Sequence, residues 1–333
     1  MARICVLQHN SNEDMRRIST KPWSAFFDTL TNSGNLIVGV EDSPDVIIHM
    51  NGHPKIIRKM QSQNRKVLNI LILWESGVTR PSDSKEEKTK DYNYIFSPSP
   101  MWIKGKNVFY FNWPNGLVHT EQIEGDSAHR RLNRVILLAG NKISFIPGEL
   151  YSLRRLYLKN NNEIIDVYGS GWNSNRHVLK SIFKALVKFL VSKTWSRPTL
   201  DTNAFLKANN YYGSVCDKSI LLKYEFALVI ENEATYVSEK LFDAIAFGCI
   251  PLYVGPNLEE FGIPMNVAFA LNRDPKKSVD LSSLVHSKRK ELLLIRDNGY
   301  HFLRSTNARK FENTLVLHNL ATIISKLISL EKT

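Results

Sequence analysis

At 333 residues the chain is long enough for about two domains, each with an apolar core of its own. Hydrophobic residues at 43% and charged residues at 23% exclude a disordered, collagen-like or coiled-coil chain. Three cysteines, Cys5, Cys216 and Cys249, with no Cys-x-x-Cys pair, exclude a disulfide-stapled scaffold and a cysteine-built zinc site. The 44 Lys and Arg residues against 32 Asp and Glu give a formal net charge of +12. Such a balance serves solubility through a basic face, or it attracts an acidic partner: nucleic acid, anionic lipid or a phosphorylated substrate. The basic residues are scattered, as in Arg16-Arg17, Lys55–Lys59, Lys85–Lys90, Arg130-Arg131 and Arg154-Arg155, with no arginine-rich tail. A nucleic-acid partner is therefore not expected.

The N-terminal run Arg3–Leu7 reads as a first β-strand and not as a signal peptide. No apolar stretch approaches the roughly 20 residues of a spanning helix. The expectation is a protein of the reducing cytoplasm, with peripheral contact to the inner face of an anionic membrane allowed by its charge. In chain order, the apolar runs predict strands over Arg3–Leu7, Asp45–His49, Val67–Leu73, Tyr92–Phe96 and Val108–Phe111. Later strands are predicted over Val135–Leu138, Ile164–Tyr168, Phe226–Ile230, Ile250–Val254 and Val267–Ala270. Several are near-continuous Val, Ile and Leu, as parallel strands covered on both faces require. Helical spacing predicts helices over Ser24–Leu30, Gly148–Leu158, Val178–Leu190, Ser238–Phe247 and Thr314–Leu330, the last an amphipathic helix docking on a core. The rhythm is α/β with more than one sheet. The polar segment Trp113–Arg134 marks a boundary, giving domains 1–125 and 126–310 and a C-terminal helix, 311–333.

The densest chemical signal lies in Tyr224–Pro256. A buried strand ends in Glu231-Asn232-Glu233, and a loop carrying Tyr236 leads to a helix that Ser238 can cap. Glu239 and Lys240 then sit in the first helical turn. The helix dipole favours the glutamate there and disfavours the lysine, so Lys240 calls for an anion beside it. Backbone N–H groups, dipole and ammonium would converge on a phosphate, at the strand-end position where open α/β sheets bind ligands.

These residues carry a resemblance. Tyr224-x-Phe226-x(4)-Glu231-Asn232, then Tyr236-Val237-Ser238-Glu239-Lys240-Leu241, then Gly248-Cys249-Ile250-Pro251-Leu252-Tyr253-Val254-Gly255-Pro256, resembles the signature of the α-1,3/4-fucosyltransferases, glycosyltransferase family 10. Upstream, Val67–Pro81 with Trp74-Glu75-Ser76 is similar to the family segment bearing its catalytic glutamate. Leu150–Tyr157 followed by Ile164–Trp172 is similar to its Arg-bearing helix and the strand after it. The likeness runs from about residue 40 to 265, and nothing in the first 40 residues matches. Ser238 stands where the family often has Thr, and the loop from Asn232 to Tyr236 is shorter than in many members. Lacking the anchor and stem of the animal Golgi enzymes, the sequence looks like the soluble bacterial or viral type.

The resemblance implies a GT-B fold: α/β, with two Rossmann-like domains whose parallel sheets face each other across a cleft. It implies inverting transfer of L-fucose from GDP-β-L-fucose to a hydroxyl of an acceptor oligosaccharide, usually on N-acetylglucosamine, in α-1,3 or α-1,4 linkage. Lipopolysaccharide, free oligosaccharide and glycoprotein all remain open as acceptors. By this likeness Glu75 is the general base. Lys240 and an arginine of the pair Arg154 and Arg155, with Arg154 preferred, take the diphosphate. Glu239 bonds donor hydroxyls, Asn232, Tyr236 and Ser238 position the nucleotide sugar, and Trp74 and His9 are acceptor contacts. No metal or other cofactor is implied, the cations replacing a divalent ion. His49 and His53 read as structural. Two alternatives stand beside this reading: a GT-B transferase of another nucleotide sugar, and a non-catalytic basic α/β protein that binds nucleotide or nucleic acid.

Overall fold

A computed structural model of the chain describes residues 1–8, 23–81, 83, 89–116, 131–192, 203–274 and 279–332. By packing the chain divides into two units, residues 1–116 with 310–333, and residues 117–309. The boundary expected at 125 lies outside the described residues.

The first unit runs β1 (Arg3–Leu7), α1 (Trp23–Asn32), β2 (Leu36–Ile37), β3 (Val46–Met50), α2 (Pro54–Ser62), β4 (Leu68–Ile72), β5 (Tyr94–Ser97) and β6 (Val108–Tyr110). The strands form one parallel sheet in the order β2-β1-β3-β4-β5-β6. Alternate residues feed two cores. Ile4, Val6, Ile48, Ile70 and Ile72 pack with Phe26 and Leu30 of α1. Cys5, Leu7 and Ile47 pack with Ile56 and Met60 of α2. Burial on both faces is what makes these strands apolar throughout.

The second unit runs β7 (Leu132–Leu138), α3 (Tyr151–Asn160), β8 (Ile165–Tyr168), α4 (Asn175–Ser192), β9 (Asn210–Tyr211), β10 (Tyr224–Ile230), α5 (Glu239–Ala246), β11 (Ile250–Val254), β12 (Phe269–Ala270), α6 (Leu281–Ser287) and α7 (Arg289–Arg304). Its parallel sheet has the order β12-β11-β10-β7-β8-β9. Numbered within the unit this is the doubly wound order of nucleotide-binding sheets, and the strand order reverses between β7 and β10. In the first unit the reversal falls between β1 and β3. The chain then returns: α8 (Asn313–Leu330) inserts Leu317, Leu320, Ile324 and Ile328 into the core that holds Phe26 and Leu30.

The expected strand Val267–Ala270 is shorter than the apolar run. Met265–Val267 form a 3-10 turn, and only Phe269–Ala270 pair with β11. The helix expected from Gly148 starts at Tyr151, because Gly148 holds a φ of +84° that helical backbone excludes. At the other end of α5, Gly248 at φ +74° stops the helix as the sequence predicts.

Candidate active site

The strand-order reversal of the second unit gathers most of the donor-side residues. β10 emerges from the core at Glu231, whose side chain is fully buried. Its Oε1 accepts the Ser238 N–H at 2.9 Å, and its Oε2 accepts the Ser238 hydroxyl at 2.6 Å and Lys240 Nζ at 3.2 Å. Lys240 also donates to Ser238 Oγ at 3.1 Å, and the same oxygen caps α5 at the Lys240 amide. The anion that a first-turn lysine calls for is therefore supplied within the chain, by Glu231. The lysine side chain keeps 23% of its surface open to solvent.

Arg154 of α3 reaches the same strand end. Its Nη2 donates to the carbonyls of Ile230 and Glu231 and to Asn232 Oδ1, at 2.8, 3.2 and 2.9 Å. Its guanidinium lies over the Tyr151 ring, and burial lowers its pKa. Its Nε is buried without a hydrogen-bond partner. Asn232 passes the chain of contacts on, donating to the Tyr236 hydroxyl at 3.0 Å. Burial pushes that hydroxyl well above the usual phenol range, so Tyr236 stays protonated. Arg155 points elsewhere, donating to Asn141 Oδ1 at 3.1 Å and to the Lys142 carbonyl, and so fastens the loop after β7. The structure thus brings Arg154, Asn232, Tyr236, Ser238 and Lys240 into one network with Glu231, while Arg155 serves the neighbouring loop.

Beside this network a cavity opens between the sheet and α5. Ile136, Leu138 and Ala139 at the end of β7, with Ala227 and Val229 of β10, give it an apolar wall. Lys218, Glu239, Lys240 and Asp243 give it a charged side. It lies where the strand order reverses, the general ligand position of doubly wound sheets. Lys218 and Asp243 form an ion pair there. Burial outweighs the pull of Lys218 and pushes the Asp243 carboxyl up to about 6. Glu239 is partly exposed and meets the cavity from the first turn of α5.

Glu75 and Trp74 belong to the first unit, directly after β4. Asn51, fully buried at the end of β3, accepts the N–H groups of Trp74 and Glu75 on its Oδ1 at 2.8 and 3.0 Å. Asn51 adopts a left-handed φ of 61°, which asparagine tolerates better than most residues. One buried amide thereby fixes the backbone that presents Glu75. Trp74 is half-buried among Trp23, Phe111 and Trp113, with ring centroids 5.2, 6.1 and 5.2 Å away. His49 is buried, its Nε2 3.0 Å from Asn69 Oδ1, and its pKa is lowered to about 3 by burial. His53 meets the Gln8 carbonyl. His9 lies outside the described residues.

Sequence reasoning passed over Glu231, Asn51, Lys218 and Asp243 as site groups. Glu231 had a signal: it is the first charged residue after the buried strand, at its carboxyl end. Asn51 had none, since a backbone contact made across 23 residues leaves no periodicity. Among the described residues, no group of three or more His, Cys, Asp or Glu side chains is gathered to hold a metal ion.

No family model matches the sequence, and no curated protein matches it at a significant level. Solved structures do match. A crystal structure of an α1,3-fucosyltransferase superposes with a TM-score of 0.56 at 14% identity, covering 97% of this chain and 90% of that one. HepE of Anabaena, in complex with UDP and glucose, gives 0.58 at 8% identity, covering 98% and 100%. A glycosyltransferase from Rickettsia africae gives 0.51 at 9% identity, covering 94% and 84%. The two parallel six-stranded sheets with their helices are those of the GT-B glycosyltransferase structures, and this chain has the GT-B fold.

Proposed function

We propose that the chain is an inverting glycosyltransferase of nucleotide sugars, and that its donor is GDP-β-L-fucose. The observation that carries the reading is the network at the end of β10, where Glu231 and Ser238 hold Lys240 against a cavity and Arg154 and Asn232 meet the same strand end. The nucleoside diphosphate occupies that strand-order reversal. Lys240, its side chain partly exposed, offers its ammonium to the phosphates while Glu231 keeps it in place. Arg154, with its guanidinium already engaged by three oxygens, adds fixed positive charge and aims the Asn232–Tyr236 pair. Glu239 bonds hydroxyls of the donor sugar, and no divalent metal is required.

On this reading Glu75 takes the proton of an acceptor hydroxyl. The hydroxyl oxygen forms its bond to the anomeric carbon as the bond from that carbon to the diphosphate oxygen breaks. The electron pair leaves with GDP, and the configuration inverts. Positive charge at the diphosphate lowers the barrier because that is where negative charge develops. The acceptor is a glycan hydroxyl, with N-acetylglucosamine the first choice, and Trp74 lies beside the base to stack on a sugar face. The fucosyl assignment draws on the Tyr224–Pro256 motif and on the likeness to the α1,3-fucosyltransferase structure, one form of which holds GDP-fucose.

HepE, solved with UDP-glucose, favours a second reading in which another nucleotide sugar is the donor. The deciding experiment is donor turnover in EDTA, with GDP-fucose and UDP-glucose offered separately against a panel of acceptor sugars. The expected result is release of GDP and an inverted fucoside. Turnover of UDP-glucose alone would replace the donor. Turnover of neither, with tight oligonucleotide binding, would replace the transferase reading with a binding protein.

A further inference from the structure

Two helices of equal length treat their apolar residues differently. α4 and α8 each span 18 residues. α8 buries its apolar face in the first unit's core. Among its described side chains α4 fully buries Val178 and Ala185, at 3% exposure each, and leaves a second apolar row in solvent. In that row Leu179, Phe183 and Leu190 are 58, 67 and 66% exposed, and Leu186 and Val187 are 43 and 44% exposed. The spacing i, i+4, i+7, i+8, i+11 places all five on one stripe of the helix surface. Contiguous exposed apolar residues of this kind mark an interaction surface.

The charge beside the stripe identifies the partner. Lys180, Lys184 and Lys188, exposed and four residues apart, run along its flank, and Arg176 is exposed at the start of the helix. Between Asp166 and Asp201 the sequence holds no acidic residue, while it holds Arg176, Lys180, Lys184, Lys188, Lys193 and Arg197. A second copy of the helix would bring lysine rows together with no carboxylate on either to meet them. An anionic bilayer satisfies both halves of the surface: its acyl boundary takes the apolar stripe and its headgroups take the lysines. We infer that α4 is a membrane-surface helix, which docks the second unit on an anionic lipid bilayer. It lies in the interface and does not cross it: among the described residues no helix is long and apolar enough to span. The inference is independent of the donor and of catalysis.

The test is co-sedimentation of the full chain with vesicles of phosphatidylglycerol and phosphatidylcholine in equal parts, and with phosphatidylcholine alone, at low and high salt. Binding is expected to the anionic vesicles and to weaken with salt. Phe183→Ser combined with Leu190→Ser should weaken it at least tenfold, since two exposed side chains lose their apolar burial. Lys180→Gln, Lys184→Gln and Lys188→Gln together should weaken it roughly a hundredfold, at about fivefold for each charge near the surface. Circular dichroism and melting confirm that both variants keep the fold, which exposed positions permit. Absence of binding to anionic vesicles would overturn the inference, as would binding that neither variant weakens. A dimer in sedimentation velocity that Phe183→Ser with Leu190→Ser dissolves, without vesicle binding by the parent, would give the surface to a second copy instead.

Discussion

At the carboxyl ends of β3 and β4 a neutral histidine, an amide and aromatic rings stand beside one ion pair, in which the buried Asp83 accepts the Gly52 N–H and meets Arg80 at 2.6 Å. His49 is held uncharged by burial, Asn51 is a buried amide, and Trp74, next to Glu75 in the chain, packs among Trp23, Phe111 and Trp113. At the carboxyl end of β10 three charged groups, the buried Glu231 and Arg154 and the partly exposed Lys240, join one hydrogen-bonded network. Both sites grow from the same construction, a parallel sheet whose strand ends leave backbone groups for side chains to satisfy. The difference is in what each can receive. An aromatic surface suits a sugar ring, whose hydroxyls are bonded without ionic change. A charged network suits a polyanion, because a buried ion pair already holds the cation that the phosphate needs, at a desolvation cost met in folding.

Five substitutions would break or sharpen that contrast. The largest effect should come from Glu75→Gln, which keeps the shape of that site and removes the proposed base. Transfer should fall about 10²–10⁴-fold with GDP affinity unchanged, and normal transfer in a single-turnover assay would remove Glu75 from the mechanism. Next is Arg154→Ala, which strips three acceptors of their donor inside the charged network. A loss of about 3 kcal/mol in chemical denaturation is expected, with weaker GDP binding. Arg155→Ala should weaken GDP binding less, and the reverse order would move the diphosphate contact to the loop after β7.

Asp243 tests the charged side through pH. Its native pKa of about 6 lies above the ordinary 3.8, so the folded chain holds this proton more tightly than the unfolded chain. The stabilisation is complete below about pH 4 and is lost as the pH rises through 6. Asp243→Asn should therefore gain about 2 kcal/mol relative to the parent between pH 4 and 7, measured as the difference of two denaturation series. The smallest effect is expected of Asn51→Ala, which frees the Trp74 and Glu75 amides. The turnover number should drop about tenfold with GDP affinity unmoved, whereas a loss of GDP affinity would show that the two sites are not separable.

Much of this architecture was legible in the sequence, for reasons that particular residues make plain. Arg3–Leu7 and Ile250–Val254 match their strands end to end because both faces of each are buried, leaving an apolar run with polar ends. Ser238 announced the start of α5 because a helix end needs a side-chain acceptor. The two-residue edge strands Leu36–Ile37 and Asn210–Tyr211 are too short to show any period. Pro54–Ser62 reads as a basic run because Lys55, Arg58 and Lys59 hide the buried Ile56, Ile57 and Met60. In the site, residue types were readable within one local segment, as from Glu231 to Lys240. The Arg154 and Asn51 contacts join elements far apart in the chain, and only folding reveals what they hold.

The central claim, that the charged network at β10 is a diphosphate site, is tested most directly by calorimetric titration of GDP into the parent chain and into Lys240→Ala, both in EDTA. The account predicts metal-independent binding by the parent and an affinity about tenfold lower in the variant, with the fold retained. Equal affinities in the two proteins, or no GDP binding by the parent at all, would contradict it.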